Sequence, residues 1–148
     1  MTHNQNKTVV PSLAGRHALV SGGASGIGEA LVRALAQQGC LVSFFDIDQI
    51  AGDNLAKELN DQGLKTHFNL VDLTEIDTLQ NVIAERMADW GAIRILVNNA
   101  ANDQRHTLQD MTSDAFDQCM SVNLKHHFFA AQAVAPAMAE AGGGSIIN

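Results

Sequence analysis

The run Ser21-Gly22-Gly23-Ala24-Ser25-Gly26-Ile27-Gly28 carries almost no side-chain bulk. Such a stretch lets an anion such as a pyrophosphate reach backbone N–H groups and, if a helix starts there, the positive end of its dipole. A plain turn also needs glycines, so the cluster alone does not decide. Asp46 adds a second element about 20 residues beyond the glycines, where a strand-end carboxylate can accept hydrogen bonds from both hydroxyls of an adenosine ribose. The two features together predict a dinucleotide site. A 2′-phosphate beside Asp46 would meet like charge, and Ser25, Ile47 and Asp48 supply no base to offset it, so NAD is favoured over NADP.

Other polar residues carry open alternatives. Asp72 could bind an adenine amino group or act as a helix-start acid. Asn98 and Asn99 could cross-link strand ends or line a nucleotide crevice. His106 sits in a polar loop, either as a substrate contact or as a solvated histidine. No metal site is expected: His3, His17 and His67 are scattered, and on a helix the adjacent His126 and His127 point about 100° apart.

Hydrophobic spacing places these residues. Arg16 to Ser21 reads as a strand, Ile27 to Gln38 as a helix stopped by Gly39, and Leu41 to Phe45 as a second strand ending on Asp46. Gln49 to Leu59 is helical, and Lys65 to Leu70 alternates like a third strand. Thr74 and Asp77 resemble a capping box opening a helix that reaches Trp90. Ile93 to Val97 forms a fourth strand, Ala100 to Asp110 a loop, Ser113 to Ala141 a long helix that Pro136 should kink or split, and Ser145 to Ile147 a fifth strand. Strands alternating with helices imply right-handed crossovers and a doubly wound parallel α/β sheet of Rossmann type, order 3-2-1-4-5, truncated at the fifth strand. Its ligand crevice lies beyond the carboxyl ends of strands 1 and 4, where the order reverses.

The expected organisation is a flexible tail over residues 1–12 and an incomplete NAD-binding domain over residues 13–148. A net charge of −7 disfavours nucleic acid. Cys40 and Cys119 fall in apolar stretches, as reduced core thiols of a cytoplasmic protein would. No signal-peptide pattern opens the chain, and Gln132, Pro136 and Glu140 interrupt the apolar run after Phe128, so no membrane partner is expected.

With these motifs in order, and with Val122-Asn123 added, the sequence from Leu13 to Asn148 resembles the short-chain dehydrogenase/reductase family. Gly22, Gly26 and Gly28 match the family's glycine motif. Asn98-Asn99-Ala100-Ala101 matches its NNAG motif with the last glycine replaced. The resemblance implies that Ser25 and Ile27 line the phosphate turn, Ile47 joins Asp46 at the ribose, and Asp72 and Leu73 border the adenine. It further implies that Asn99, Ala100 and Val122 contact the nucleoside. Asn123 matches the Asn of the catalytic tetrad, which kinks the long helix and holds a water of the proton relay. The runs 98–106, 132–138 and 142–148 look most like NAD-dependent aldose 1-dehydrogenases, which convert a sugar to its aldonolactone. Asn102, Gln104 and His106 are then candidates to bond sugar hydroxyls, and a homo-oligomer is the family expectation.

The same resemblance calls for a Tyr-Lys pair and a Ser, and this sequence contains no tyrosine. The expectation is therefore the cofactor part of a sugar or alcohol dehydrogenase, inactive alone, with its fifth strand left as an open apolar edge prone to aggregate. A noncatalytic dinucleotide-binding module or sensor is the alternative. A methyltransferase, the third class, explains Asn98-Asn99 and Asn123 poorly.

Overall fold

The computed structural model describes residues 10–148. Five parallel strands, β1 (His17–Ser21), β2 (Leu41–Asp46), β3 (Lys65–Leu70), β4 (Ile93–Val97) and β5 (Ser145–Ile147), lie in the order β3-β2-β1-β4-β5. Between them run α1 (Gly26–Gln37), α2 (Gln49–Asp61), α3 (Ile76–Trp90), α4 (Ser113–Met120) and α5 (His126–Glu140). The expected doubly wound sheet is present.

Side chains alternate across the strands and feed two cores. On one face Val32 and Ala36 of α1, with Leu55 and Leu59 of α2, cover Ala18, Val20, Val42 and Phe44. On the other, Leu79 and Ile83 of α3 and Val134 and Met138 of α5 cover Leu19, Phe45 and Leu96. Each such aliphatic side chain contributes roughly 1.5–3 kcal/mol when fully buried. β1 sits centrally, paired with β2 on one side and β4 on the other, and the register Ser21↔Phe45 and Val20↔Val97 brings the ends of β1, β2 and β4 to one edge.

Four expectations need correction. The loose tail drawn to residue 12 falls outside the described residues for 1–9, but Pro11–Leu13 form a 3₁₀ turn held to the body, with Val10 N donating to Gln38 Oε1 at 2.7 Å. Proline's fixed φ suits the first position of that turn. The Thr74 capping box does not form: Thr74 N and Oγ1 both donate to Asp72 Oδ1, at 2.9 and 2.7 Å, and α3 starts later, at Ile76. A short carboxylate reaching two residues ahead outcompetes the cap.

Pro136 does not split the long helix either. It lies on the exposed side of α5, where a freed carbonyl can be hydrated, while buried Val134 and Met138 flank it and hold the helix to the sheet. The interruption is instead a π-helical turn, Ser121–Lys125, that contains Asn123. Finally, Cys40 is buried but Cys119 is only half-buried on α4, and both are free thiols. β5 pairs with β4 along one side, and Ile146 and Ile147 are exposed.

Candidate cofactor site

The glycine run turns β1 into α1, and its glycines do different work. Gly22 (φ 65°) and Gly26 (φ 55°) adopt left-handed backbone that side-chain-bearing residues avoid. A Cβ on Gly22 would also come within 2.9 Å of the Ala100 Cα, whereas Gly26 faces open space. Gly28 is required by packing, since a Cβ there would lie 1.8 Å from the Gly22 carbonyl oxygen. Ser25 occupies the N-cap of α1 without capping it through its side chain, although Asp48 caps α2 and Thr112 caps α4. The first N–H groups of α1 therefore open toward the crevice, as an anion site requires.

Asp46 faces this turn. Its Oδ2 accepts from Ala24 N at 2.9 Å, and its Oδ1 accepts from Ile47 N at 2.8 Å and Asp48 N at 3.1 Å. The carboxylate thus ties the end of β2 to the glycine run. It also lines a cleft of about 930 Å³ together with Gly22, Ser25, Gly26, Ile27 and Gly28. Ile47, Asp72, Leu73, Asn99, Ala100 and Val122 border the same cleft. All twelve residues read from the sequence as dinucleotide contacts are therefore brought to one cavity. Asp72 meets it while its carboxylate also accepts from Thr74, in the turn ahead of α3 and not as the cap of that helix.

The opposite wall is built on Ser21. Its hydroxyl accepts from Asn99 N at 3.0 Å and Ala100 N at 3.1 Å and meets His126 Nε2 at 3.3 Å. Asn99 Nδ2 donates to the carbonyls of Ser21 and Gly22 at 3.0 and 3.1 Å. The neighbouring Asn98 works differently, donating through Nδ2 to Asn148 Oδ1 at 2.7 Å and so joining β4 to the β5 end. The two amides divide the roles that the sequence left open. Ala101, where the family motif has glycine, lies on the cleft wall without left-handed backbone, since no described non-glycine residue has positive φ.

His126 is fully buried, with Nδ1 against the Val122 carbonyl. Burial first, then the neighbouring His127, pushes its pKa down to about 4, so the ring is neutral near pH 7. The His126 and His127 rings stand 4.2 Å apart and perpendicular. Among the described residues no group of three or more His, Cys, Asp or Glu is arranged to hold a metal ion.

Asn123 and the loop candidates lie outside the cleft lining. Asn123 Oδ1 accepts from Asn102 N at 2.7 Å, and its Nδ2 donates to Asn102 O at 2.9 Å. Asn102 Oδ1 in turn accepts from Gln104 N at 3.0 Å. His106 is half-buried, and its Nε2 is buried without a hydrogen-bond partner. The assignment of Asn123 as a catalytic side chain is thus refined: its carboxamide is engaged with the loop backbone. The sequence reading missed Val71, Thr74, Asp103, Gln118 and Ser121 of the cleft lining, and it missed His126. A signal existed for two of these, because Gln118, Ser121 and Val122 share one helical face at three- and four-residue spacing.

A parallel sheet of this order, with a glycine turn facing a strand-end acid across its crevice, defines a Rossmann-type architecture. The chain belongs to the short-chain dehydrogenase family, whose family model matches residues 16–148. It is 45% identical over 139 residues to the probable galactose dehydrogenase GalD of Rhizobium meliloti, covering 93% of this chain and 54% of that protein. It is 39% identical over 143 residues to D-xylose 1-dehydrogenase of Caulobacter vibrioides, covering 97% and 56%. The chain spans about half the length of these curated relatives. Among solved structures, a metagenomic short-chain oxidoreductase in complex with NADP superposes with TM-score 0.87 at 32% identity, covering 93% of this chain and 62% of that one. A gluconate 5-dehydrogenase from Burkholderia cenocepacia, in complex with NADP and tartrate, superposes with TM-score 0.83 at 38% identity, covering 91% and 53%.

Proposed function

We propose that this chain is the NAD-binding part of a dehydrogenase that oxidises a sugar or alcohol CH–OH group, with an aldose converted to its aldonolactone as the favoured reaction. The observation that carries the reading is the 2.9 Å bond from Ala24 N to Asp46 Oδ2, which sets a carboxylate and an uncapped glycine-rich helix start into one cleft. Gly22, Ser25, Gly26, Ile27 and Gly28 would hold the pyrophosphate, and Asp46 and Ile47 the adenosine ribose. Asp72 and Leu73 would border the adenine, and Asn99, Ala100 and Val122 the nucleoside. The bound dinucleotide supplies a hydride acceptor.

Three of about four acceptor positions on the Asp46 carboxylate already serve backbone N–H groups. The position left on Oδ2 suits a ribose hydroxyl and repels a 2′-phosphate, which supports NAD although relatives in solved structures carry NADP. Asn123 is a positioning residue that fixes the backbone of Asn102, and Asn102, Gln104 and His106 are the candidates to meet sugar hydroxyls. The sugar reading is supported by the galactose and xylose dehydrogenase relatives.

Exposed Phe116, Met120, Leu124 and Phe128 recur every four residues along α4, the π-turn and α5. This stripe supports the expected homo-oligomer. The free thiols support a cytoplasmic setting, and no described helix is long and apolar enough to cross a membrane.

The test is calorimetric titration of NAD, NADP and S-adenosylmethionine into the folded chain. NAD should bind, NADP more weakly, and S-adenosylmethionine not at all; no heat with NAD refutes the proposal. A second reading, a noncatalytic binding module, rests on the same cleft. Both readings predict no NADH production from sugar by the 148-residue chain. They part on a larger protein that carries it, where a Tyr-x-x-x-Lys downstream selects the dehydrogenase.

A further inference from the structure

A serine hydroxyl donates one hydrogen and accepts two. At Ser21 both acceptor positions are filled by Asn99 N and Ala100 N, so its proton is directed at His126 Nε2, 3.3 Å away. That assignment determines the imidazole tautomer. Nε2 accepts, so the ring proton of the neutral histidine sits on Nδ1, where it donates to the Val122 carbonyl. The result is one directed chain of hydrogen bonds from the ends of β1 and β4, through a fully buried ring, into the π-turn. Ala100 and Val122, at its two ends, both line the nucleotide cleft.

We propose that His126 is a positioning residue for this cleft: through Ser21 it holds the Asn99–Ala100 backbone against the glycine turn, and through Val122 it holds the turn that carries Asn123. The inference rests on the reading of the cleft as a dinucleotide site. A leucine would fill similar space, but it would leave the Ser21 proton and the ring's share of the Val122 carbonyl without partners, and buried polar groups in that state are costly. Directed bonding, rather than volume, is therefore the reason for a histidine here.

Two readouts test the proposal. Nitrogen NMR of the histidine-labelled chain without ligand should show His126 as the Nδ1–H tautomer, and Ser21→Ala, which leaves the Val122 carbonyl as the acceptor for Nδ1–H, should keep that tautomer while shifting the Nε2 resonance as its hydrogen bond is lost. A wild-type ring in the Nε2–H form, or one averaging freely, overturns the proposal whatever NAD does.

The second readout is NAD affinity. His126→Gln places its amide near the Nε2 position and keeps the link to Ser21, whereas His126→Asn reaches only the Val122 side. Gln should stay near wild type, Asn should bind more weakly, and His126→Leu should bind about tenfold more weakly, as the loss of a buried hydrogen bond predicts. Adding Ser21→Ala to the leucine variant should weaken it by less than the same change weakens the wild-type chain, because the Ser21–His126 bond is already gone and only the contacts to Asn99 N and Ala100 N remain to be lost. Equal affinity in all three variants, or fully additive losses with Ser21→Ala, overturns the proposal. If the leucine variant fails to fold, the Gln and Asn pair decides. If wild-type chain binds no NAD, the dinucleotide reading fails by itself. Amide exchange at Asn99 and Ala100, expected to quicken in Ser21→Ala and His126→Asn, then decides the role of His126, and unchanged exchange refutes it.

Discussion

The carboxamide of Asn123 and the backbone of Asn102 satisfy each other through two hydrogen bonds, at 2.7 and 2.9 Å, as neighbouring strands do. The contact joins the π-turn after α4 to the loop after β4. Asn123→Ala should therefore free the loop without unfolding the sheet. The amide of Asn102 should exchange roughly tenfold faster, with a loss of about 1–2 kcal/mol in global stability. Asn123→Asp, which keeps an acceptor and loses the donor, should fall between the two. Hydrogen exchange followed residue by residue checks this, and unchanged protection at Asn102 would contradict it.

Asp46 has a structural duty beside its proposed cofactor role. In Asp46→Asn one of the amide groups must face a backbone N–H that now meets a carboxylate oxygen, so we expect a stability loss of about 1 kcal/mol. Removing the negative charge should also raise affinity for NADP relative to NAD by roughly tenfold. Parallel titrations of the two dinucleotides measure the ratio. A ratio equal to wild type would show that the charge does not discriminate.

The glycines should separate by mechanism. Gly28→Ala places a methyl 1.8 Å from the Gly22 oxygen, so the turn must open, and NAD binding should be lost along with about 2–4 kcal/mol of stability. Gly52→Ala meets the Phe68 ring at 2.3 Å and should destabilise the α2 face while leaving the cleft intact. Gly26→Ala meets nothing within 4 Å and should cost only the left-handed backbone penalty of roughly 1–2 kcal/mol. Urea unfolding beside NAD titration distinguishes the three, and wild-type affinity in Gly28→Ala would contradict the described packing.

Acid should destabilise the fold before ordinary carboxylates titrate. Burial is the leading cause of a lowered pKa at His126, His17, His67 and His127, and for His126 the value reaches about 4. The unfolded imidazoles take up protons near the ordinary histidine value of 6.5, while the folded ones stay neutral. Stability is thus complete above about pH 6.5 and declines as the pH falls toward 4, by up to about 3 kcal/mol for His126. Urea midpoints at pH 7 and pH 5 should show the decline, and His126→Gln should reduce it. A midpoint that rises on acidification would reverse the sign and exclude this account.

Much of the fold was legible because its signals are local. The glycine run, the acid ending β2 and the alternation of short apolar strands with helices depend on residues close in sequence. They were enough to predict the strand order and twelve of the residues lining the cleft. Local signals also misled where two of them competed. Thr74 reads as a cap until Asp72 captures both its donors, and Pro136 reads as a break until one sees it on the exposed side of α5.

What the sequence determined, then, is a parallel sheet with a glycine turn and an acid at the same edge, because strand ends follow from periodicity and chain direction. The tertiary structure decided which distant groups meet: Ser21 and His126 stand 105 residues apart, and Asn102 and Asn123 are 21 apart across two elements. Nothing in the spacing of a histidine or an asparagine says which hydroxyl or backbone it will face. Only the packing of α5 against the sheet and the widening of one helical turn bring those partners into hydrogen-bonding range.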